Sequence, residues 1–286
     1  MSEKNLTLTS TLYLVSTPIG NLADLSPRAE KVLSEVDFIA AEDTRNTGNL
    51  LAAFGIRNSL VSYHEHNKRE RGEEIADRLA AGESCALVTD AGTPAISDPG
   101  EDLVALCAAR GIRVTSVPGC SAGITALTLS GLPTRRFTFE GFLSVNKSER
   151  RRHLDSLRGE TRTMIFHEAP HKLKATLSDL REAFGDHRRI ALCRELTKLN
   201  EEILRLTLAE AVTYYEENAP RGEYVLVVEG AEEGTTDGAY FWQAMTIPEH
   251  VAHYMDSGMA KKDAIKAAAK DRGVPKNEIY QQVLND

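Results

Sequence analysis

The first 130 residues alternate between short apolar runs and longer stretches in which apolar residues recur every three or four positions. The runs "TLYLVS", "VDFIAA", "NSLVSY", "CALVTD" and "IRVTSV" have the length and composition of strands. The intervening stretches predict helices over 22–35, 44–54, 70–81, 98–110 and 121–130. The first is expected to begin near Ser26 and Pro27, a hydroxyl cap followed by a residue whose fixed φ suits the first turn. Strands that are apolar on both sides and alternate with helices of this length imply a parallel sheet covered on both faces.

The pattern then changes. "RFTFEGF", "TRTMIF", "RRIALC", "EEILRLTL" and "EYVLVVEG" read as strands, but helices over 147–157, 170–184 and 209–217 separate only some of them. Strands that follow one another without a helix pair antiparallel, so this second sheet is expected to be mixed. The polar, glycine-rich stretch 230–238 reads as a linker. Beyond it, a helix around 264–269, the turn "RGVPK" and a helix over 276–284 suit a helix-turn-helix-like module. The expected divisions are 1–117 and 118–232, each α/β, and a helical module over 233–286.

Composition adds exclusions. At 42% hydrophobic and 27% charged residues the chain is ordinary for a globular protein. Its polar opening lacks the apolar core of a signal peptide, and no run of about 18 apolar residues is present, so a cytoplasmic protein without a membrane span is expected. Cys85, Cys107, Cys120 and Cys193 are scattered among apolar or small residues and read as buried free thiols. The net charge of −8 is unevenly spread. Stretches 134–153 and 257–276 each carry six Lys or Arg against two acidic residues. Two basic patches on an acidic body can bind a polyanion locally, or can be solvated helix faces.

"FHEAPHKL" contains His167-Glu168-x-x-His171. That spacing binds zinc only on a continuous helix, where both His share a face. Pro170 interrupts such a helix, and "TRTMIF" before it reads as a strand, so Pro170 is expected to open the next helix and no metal site is predicted. More telling are three strand ends, "LVSTPIGN", "LVTDAGTPAISDPG" and "SVPGCSAG", that run into Gly, Pro and small hydroxylated residues. Ligands of open α/β sheets bind at such carboxyl ends. The three loops contain neither G-x-G-x-x-G nor a P-loop, and neither lysine nor arginine, which disfavours a dinucleotide or a phosphate. Asp90, Thr93, Ser97 and Ser121 with exposed carbonyls suit a ligand bearing a cation and an adenosine, such as S-adenosylmethionine; three ordinary tight turns would look the same.

Together, "YLVSTPIGNLADLSPRAEKVL", "DFIAAEDTRNTGNLL", "LVTDAGTPAISDPG", "VPGCSA", "FHEAPHKL", "CRELTK" and "RGEYVLVVEG" resemble the tetrapyrrole-methylase superfamily, and within it the branch of small-subunit ribosomal RNA methyltransferases. The resemblance covers 11–230. It implies two α/β domains with a cleft for S-adenosylmethionine between them, a homodimer, and 2′-O-ribose methylation of a cytidine in the decoding region of small-subunit (16S) rRNA, offered as RNA or as an assembled small ribosomal subunit. Carried over by position, the cofactor pocket comprises Pro18, Asp90, Gly92, Thr93, Ile96, Ser121, Ala122 and Phe166, with Pro220, Arg221 and Gly222 as a further wall. The first loop departs from the G-x-G-P-G of tetrapyrrole-modifying relatives, which disfavours a porphyrinoid substrate.

For proton removal from the attacking hydroxyl, the candidates are Glu42, Asp43 and Arg45, the arginine as a phosphate clamp. The competing reading is that Glu42 caps the following helix and pairs with Arg45. Glu195 and Lys198 form a second candidate group. Arg150, Arg151 and Arg152 of "NKSERRRH", with Lys261 and Lys262, are the RNA-binding candidates. His167 and His171 read as solvent-facing or capping residues, or as RNA contacts. Two other functions stay open: a C-methyltransferase acting on a tetrapyrrole, and a non-catalytic ribosome assembly factor.

Overall fold

The computed structural model describes residues 7–232, 242, 245–256 and 258–284. Met1–Gly230 and Ala231–Asp286 are two compact units. Of the linker read over 230–238, positions 233–238 lie outside the described residues.

The first sheet consists of β1 (Thr11–Val15), β2 (Phe38–Ala41), β3 (Leu60–Ser62), β4 (Cys85–Val88) and β5 (Arg113–Val117), in the order β3-β2-β4-β1-β5 and parallel throughout. The connections are α1 (Pro27–Glu35), α2 (Thr44–Ala53), α3 (Lys68–Ala80) and α4 (Gly100–Ala109). The strands are short and apolar because both faces are covered. Tyr13, Val15, Ile39 and Val88 pack under α1 and α2 through Val32, Leu33 and Leu51. Leu12, Phe38, Cys85 and Leu87 pack under α3 and α4 through Ile75, Leu79, Leu103 and Cys107. Each such side chain, fully buried, contributes about 1.5–3 kcal/mol. From β1 the chain crosses toward β2, and from β4 it crosses back toward β5. Neighbours β1 and β4 thus mark the point where a crevice opens at the strands' carboxyl ends. As predicted, Ser26 caps α1: its Oγ accepts from Ala29 N at 3.1 Å, with Pro27 as the first helical residue.

The second sheet is mixed. β6 (Phe137–Phe142), β7 (Thr163–Glu168), β8 (Arg189–Arg194), β9 (Glu202–Thr207) and β10 (Tyr224–Val228) lie in the order β6-β7-β10-β8-β9. Only β6 and β7 are parallel. One face, with Met164, Phe166, Leu192 and Leu226, is covered by α6 (Lys147–Ser156), α7 (Leu173–Phe184) and α8 (Leu208–Glu217) through Leu154, Leu177, Leu180 and Ala211. The other face, with Ile165, Ala191, Cys193, Val225 and Val227, packs on Ala126 and Leu127 of α5 (Ala122–Ser130), and on Ile19 from the loop after β1. A residue of the first sheet's crevice thereby reaches the core of the second.

The second unit holds α9 (Ile247–Asp256), α10 (Lys261–Arg272) and α11 (Lys276–Leu284) around Val251, Ala264, Ile265, Ala268 and Ile279. Gly273, at φ 64°, stops α10 in the left-handed conformation that glycine adopts without steric cost.

Two expectations are corrected. Pro170 does not open α7. It lies in a turn, with Lys172 N bonded to Ala169 O at 3.0 Å, and the helix starts at Leu173. Cys120 is only half-buried, whereas Cys85, Cys107 and Cys193 are buried; all four are free thiols.

Candidate functional site

The three loops singled out in the sequence are tied together at the head of the crevice. Thr17 and Gly92 exchange backbone hydrogen bonds at 2.9 and 3.1 Å, clasping the β1 loop to the β4 loop. Ser16 Oγ and Thr93 Oγ1 lie 3.0 Å apart, and Thr93 Oγ1 donates to Cys120 O at 2.9 Å, adding the β5 loop. Absent side chains allow the approach. A Cβ on Gly119 would stand 2.9 Å from Ser16 Cβ, and Gly92 holds φ 87° with Ile19 against it.

Of the predicted cofactor residues, Asp90 is exposed beside this junction and accepts from Asn46 Nδ2 at 3.4 Å. Thr93 is the knot between three loops. Ser121 is the N-cap residue of α5, but its side chain makes no cap hydrogen bond, so among the described residues the first-turn N–H groups of Ala122 and Gly123 have no side-chain acceptor. Ile96 is 50% exposed between Ala95 and Ser97, both non-glycine residues at positive φ (66° and 61°). Asp98 holds that loop, accepting from Ala95 N, Ile96 N and Gly100 N at 3.0, 3.2 and 2.7 Å. Strain of this kind persists only where the surroundings impose it. Pro18 lies half-buried in the first loop.

Phe166 turns its side chain away from the crevice. Its ring is fully buried in the core under α6, α7 and α8, so only its main chain can border the crevice. Side chains alternate along a strand. The neighbour that faces α5 is His167, whose Nε2 lies 3.7 Å from where a Gly123 Cβ would be.

The "HEAPH" residues do not lie on a continuous helix. His167 is on β7 and His171 is exposed in the turn, so the two share no helix face. Glu168 is buried and accepts from Thr176 Oγ1 at 2.5 Å and from Ala169 N at 2.8 Å.

The carboxylates at the end of β2 divide their tasks differently from the sequence reading. Asp43, not Glu42, caps α2, accepting from Arg45 N at 2.8 Å and Asn46 N at 3.4 Å. Arg45 also pairs with Asp43, Nη2 to Oδ2 at 3.2 Å, which holds the Asp43 carboxyl below its ordinary range. Glu42 instead reaches β4 and accepts from Thr89 Oγ1 at 2.8 Å. Glu42 and Asp90 thus line the same side of the crevice, joined through Thr89 and Asn46. Neither intermediary is among the sequence candidates, because an uncharged side chain at a strand end or in a first helical turn carries no distinguishing pattern.

Pro220 and Arg221 stand near a second strained loop. Glu195 and Thr197 adopt φ 50° and 67°. Lys198 Nζ donates to Glu195 Oε1 at 2.9 Å and to Glu223 Oε2 at 3.0 Å, lowering the Glu195 carboxyl from its usual range. Gly222 and Gly20 make room: a Cβ would fall 2.5 Å from Glu195 Cγ at the first and 2.4 Å from Lys198 Cγ at the second. The β8–β9 loop thus packs against the β1 loop at Gly20.

The basic candidates separate. Arg150 is half-buried, its Nε on Asp179 at 2.6 Å and its Nη1 on Ser144 O at 3.0 Å, so it serves the fold. Arg151 and Arg152 are exposed, Arg151 with a surface pair to Glu182. Lys261 and Lys262 are exposed in the first turn of α10.

Comparison with known proteins places the chain in a family. The family profile of the Tetrapyrrole (Corrin/Porphyrin) Methylases matches residues 11–212. The ribosomal RNA small subunit methyltransferase I of Halalkalibacterium halodurans is 50% identical over 94% of this chain and 93% of its own. That of Bacillus subtilis is 48% identical over 94% and 92%, and that of Escherichia coli O157:H7 43% over 96% and 94%. Among solved structures, uroporphyrin-III C-methyltransferase from Thermus thermophilus matches with TM-score 0.56 at 20% identity, over 81% of this chain and 97% of that one. Diphthine synthase matches with TM-score 0.58 at 13% identity, over 77% and 89%. Another structure of the Thermus enzyme, complexed with S-adenosyl homocysteine, matches with TM-score 0.53 at 17% identity, over 77% and 96%. Likenesses this distant speak for the fold, whereas the family profile and the near-half identity of the full-length relatives speak for descent: this chain belongs to the tetrapyrrole methylase family, among the ribosomal RNA small subunit methyltransferase I proteins.

Proposed function

We propose that this chain is an S-adenosylmethionine-dependent methyltransferase that methylates the 2′-hydroxyl of a cytidine ribose in the decoding region of small-subunit rRNA, acting as a homodimer. The observation that carries the reading is the crevice of knotted loops at the β1/β4 switch point, in a chain so close to proteins of that name. The residues present fit the cofactor. The exposed Asp90 suits its cation or ribose hydroxyls, and the uncapped N-terminus of α5 with the Ser121 hydroxyl suits its carboxylate. The small-residue walls at Gly92 and Gly119 leave space along the backbone.

S-adenosylmethionine supplies a methyl group already activated by a sulfonium. The chain's own part is to orient the acceptor hydroxyl in line with that methyl and to take up its proton. Glu42 is the base: it borders the crevice, and among the described residues its second oxygen carries no hydrogen bond. The first-loop sequence "STPIGN" and the basic residues of α6 and α10 favour RNA over a tetrapyrrole.

The test is a transfer assay with radiolabelled S-adenosylmethionine. Small ribosomal subunits lacking the modification are one acceptor and naked rRNA the other. Alkali-resistant label on the ribose of one cytidine is the expected result, and the better acceptor identifies the substrate. Cofactor binding without label on either acceptor refutes the reading and points to a tetrapyrrole acceptor or to a non-catalytic assembly role.

A further inference from the structure

The outer edge of the second sheet carries aromatic rings that the core does not use. Phe137 and Phe139 are 39% and 38% exposed, and Phe142 is 61% exposed. Several large apolar side chains gathered on one surface mark a binding face. Register decides which way they point. Phe139 pairs with Ile165 and Phe142 with His167, because a bulge before Gly141 returns Phe142 to the face of Phe139. Ile165 lies in the cluster under α5. The rings therefore stand on the crevice side of the sheet, beside α5, whose Ile124 is 47% exposed.

This face adjoins the β4 loop. A Cβ on Gly141 would stand 3.2 Å from Ser97 Oγ, and Ser97 neighbours the exposed Ile96 of the cofactor wall. Whatever occupies the aromatic edge sits next to the loop that borders the methyl donor. Phe139 and Phe142 both meet the His167 ring edge to face, with centroids 5.4 and 5.5 Å apart. Beneath them His167 Nε2 is buried without a hydrogen-bond partner among the described residues, a state that costs about 1–3 kcal/mol unless another state supplies one. Burial holds the His167 imidazole below its ordinary range, with Glu223 opposing. A neutral ring donates or accepts at Nε2 according to its tautomer. Just along the chain, α6 brings exposed Lys147, Arg151 and Arg152.

A flat ring for stacking, a polar edge for the buried nitrogen and phosphates for the basic helix are together the chemistry of a nucleotide. We infer, resting on the ribosomal RNA reading above, that Phe139, Phe142 and His167 form the subsite for the acceptor's nucleobase. The base stacks on the phenylalanine rings, and displacement of Phe142 uncovers His167 Nε2 for its hydrogen-bonding edge. In this subsite the nucleotide leaves its stacked neighbours, and the rings replace them.

The test compares Phe142→Leu, which keeps apolar bulk without a π face, with Phe142→Tyr, which keeps the face. Both substitute a largely exposed side chain. Wild type and variants are assayed on small subunits lacking the modification, with S-adenosyl homocysteine binding followed by calorimetry and association state by sedimentation. The expected result for Phe142→Leu is a loss of about 10- to 100-fold in kcat/KM for the acceptor, the scale of one base-stacking contact. Phe142→Tyr should restore most of it, and calorimetry and sedimentation should not change. An unchanged acceptor kcat/KM in Phe142→Leu overturns the subsite. So does a smaller sedimenting species, which would give this face to a second copy of the chain. Failure of the wild type to label any small-subunit RNA overturns the ribosomal reading and this subsite with it.

Discussion

At the scale of single residues, the end of β2 shows how two adjacent carboxylates acquire different tasks. Asp43 is fully engaged, holding the first turn of α2 and the Arg45 guanidinium. Glu42 is held at one oxygen by Thr89, and among the described residues the other carries no hydrogen bond. Glu42→Gln should therefore lower kcat by about 100-fold or more, the contribution of a positioned base, with S-adenosyl homocysteine affinity unchanged by calorimetry. Asp43→Ala should cost about 1 kcal/mol of stability in urea unfolding, as a lost N-cap does, and keep kcat within a few-fold at saturating substrates. Equal losses of kcat in the two variants would remove Glu42 as the base. The sequence placed both residues at a strand end but could not divide these roles. An N-cap is defined by backbone conformation, and Asp43, at φ −116° and ψ 110°, is the residue still extended when the helix begins.

At the scale of elements, α6 offers a contrast inside one run of three arginines. Arg150 is bound to Asp179 and to backbone carbonyls, while Arg151 and Arg152 face solvent. Arg150→Ala should lower the urea midpoint, since it leaves the half-buried Asp179 without its partner. Arg152→Ala should leave stability unchanged and reduce the salt slope of RNA binding by about one counterion. An unaltered slope would remove α6 from the interface. Runs of apolar and polar residues made nearly every strand and helix legible, including the parallel first sheet and the mixed second one, because burial dictates both patterns. Two points were not legible: which atoms of a motif residue face the crevice, and where α7 begins. Strand alternation turns the Phe166 side chain into the core, leaves only its main chain to border the crevice, and presents His167 on that face. Pro170 looked like a helix opener, but a turn intervenes before Leu173.

The clasp of the β8–β9 loop is an element with its own pH dependence. Lys198 lowers the Glu195 carboxyl from its ordinary 4.5. A depressed carboxyl contributes stability that is present above the unfolded-state value and is lost as pH falls through the folded-state value. Lys198→Met keeps the stem against Gly20 and removes the charge. Its deficit in urea midpoint relative to wild type should thus be clear at pH 7 and shrink below pH 4.5. A deficit that stays constant with pH would assign the loss to packing alone. Because the same loop packs over Gly20 of the β1 loop, the variant should also raise the KM for the methyl donor more than that for the RNA.

At the scale of the whole molecule, the chain forms two compact units. The first contains both sheets and every residue assigned to the crevice. The second has a core of its own, built from Val251, Ala264, Ile265, Ala268 and Ile279. Its surface presents Lys261, Lys262, Lys266 and Lys270 along α10 and Lys276 at the start of α11. On the RNA reading proposed above, these lysines would add phosphate affinity and release counterions on binding. Truncation after Gly230 should therefore leave S-adenosyl homocysteine affinity and the unfolding midpoint of the first unit unchanged. RNA affinity should fall about tenfold or more at low salt, with a shallower dependence on salt concentration, because several counterions are no longer released. Equal RNA affinity and slope in the truncated protein would confine recognition to the first unit, leaving α6 and the aromatic edge of β6 to carry it. A loss of cofactor affinity would instead mean that the helical unit supports the crevice rather than the RNA, and the lysines would then be a solvated surface.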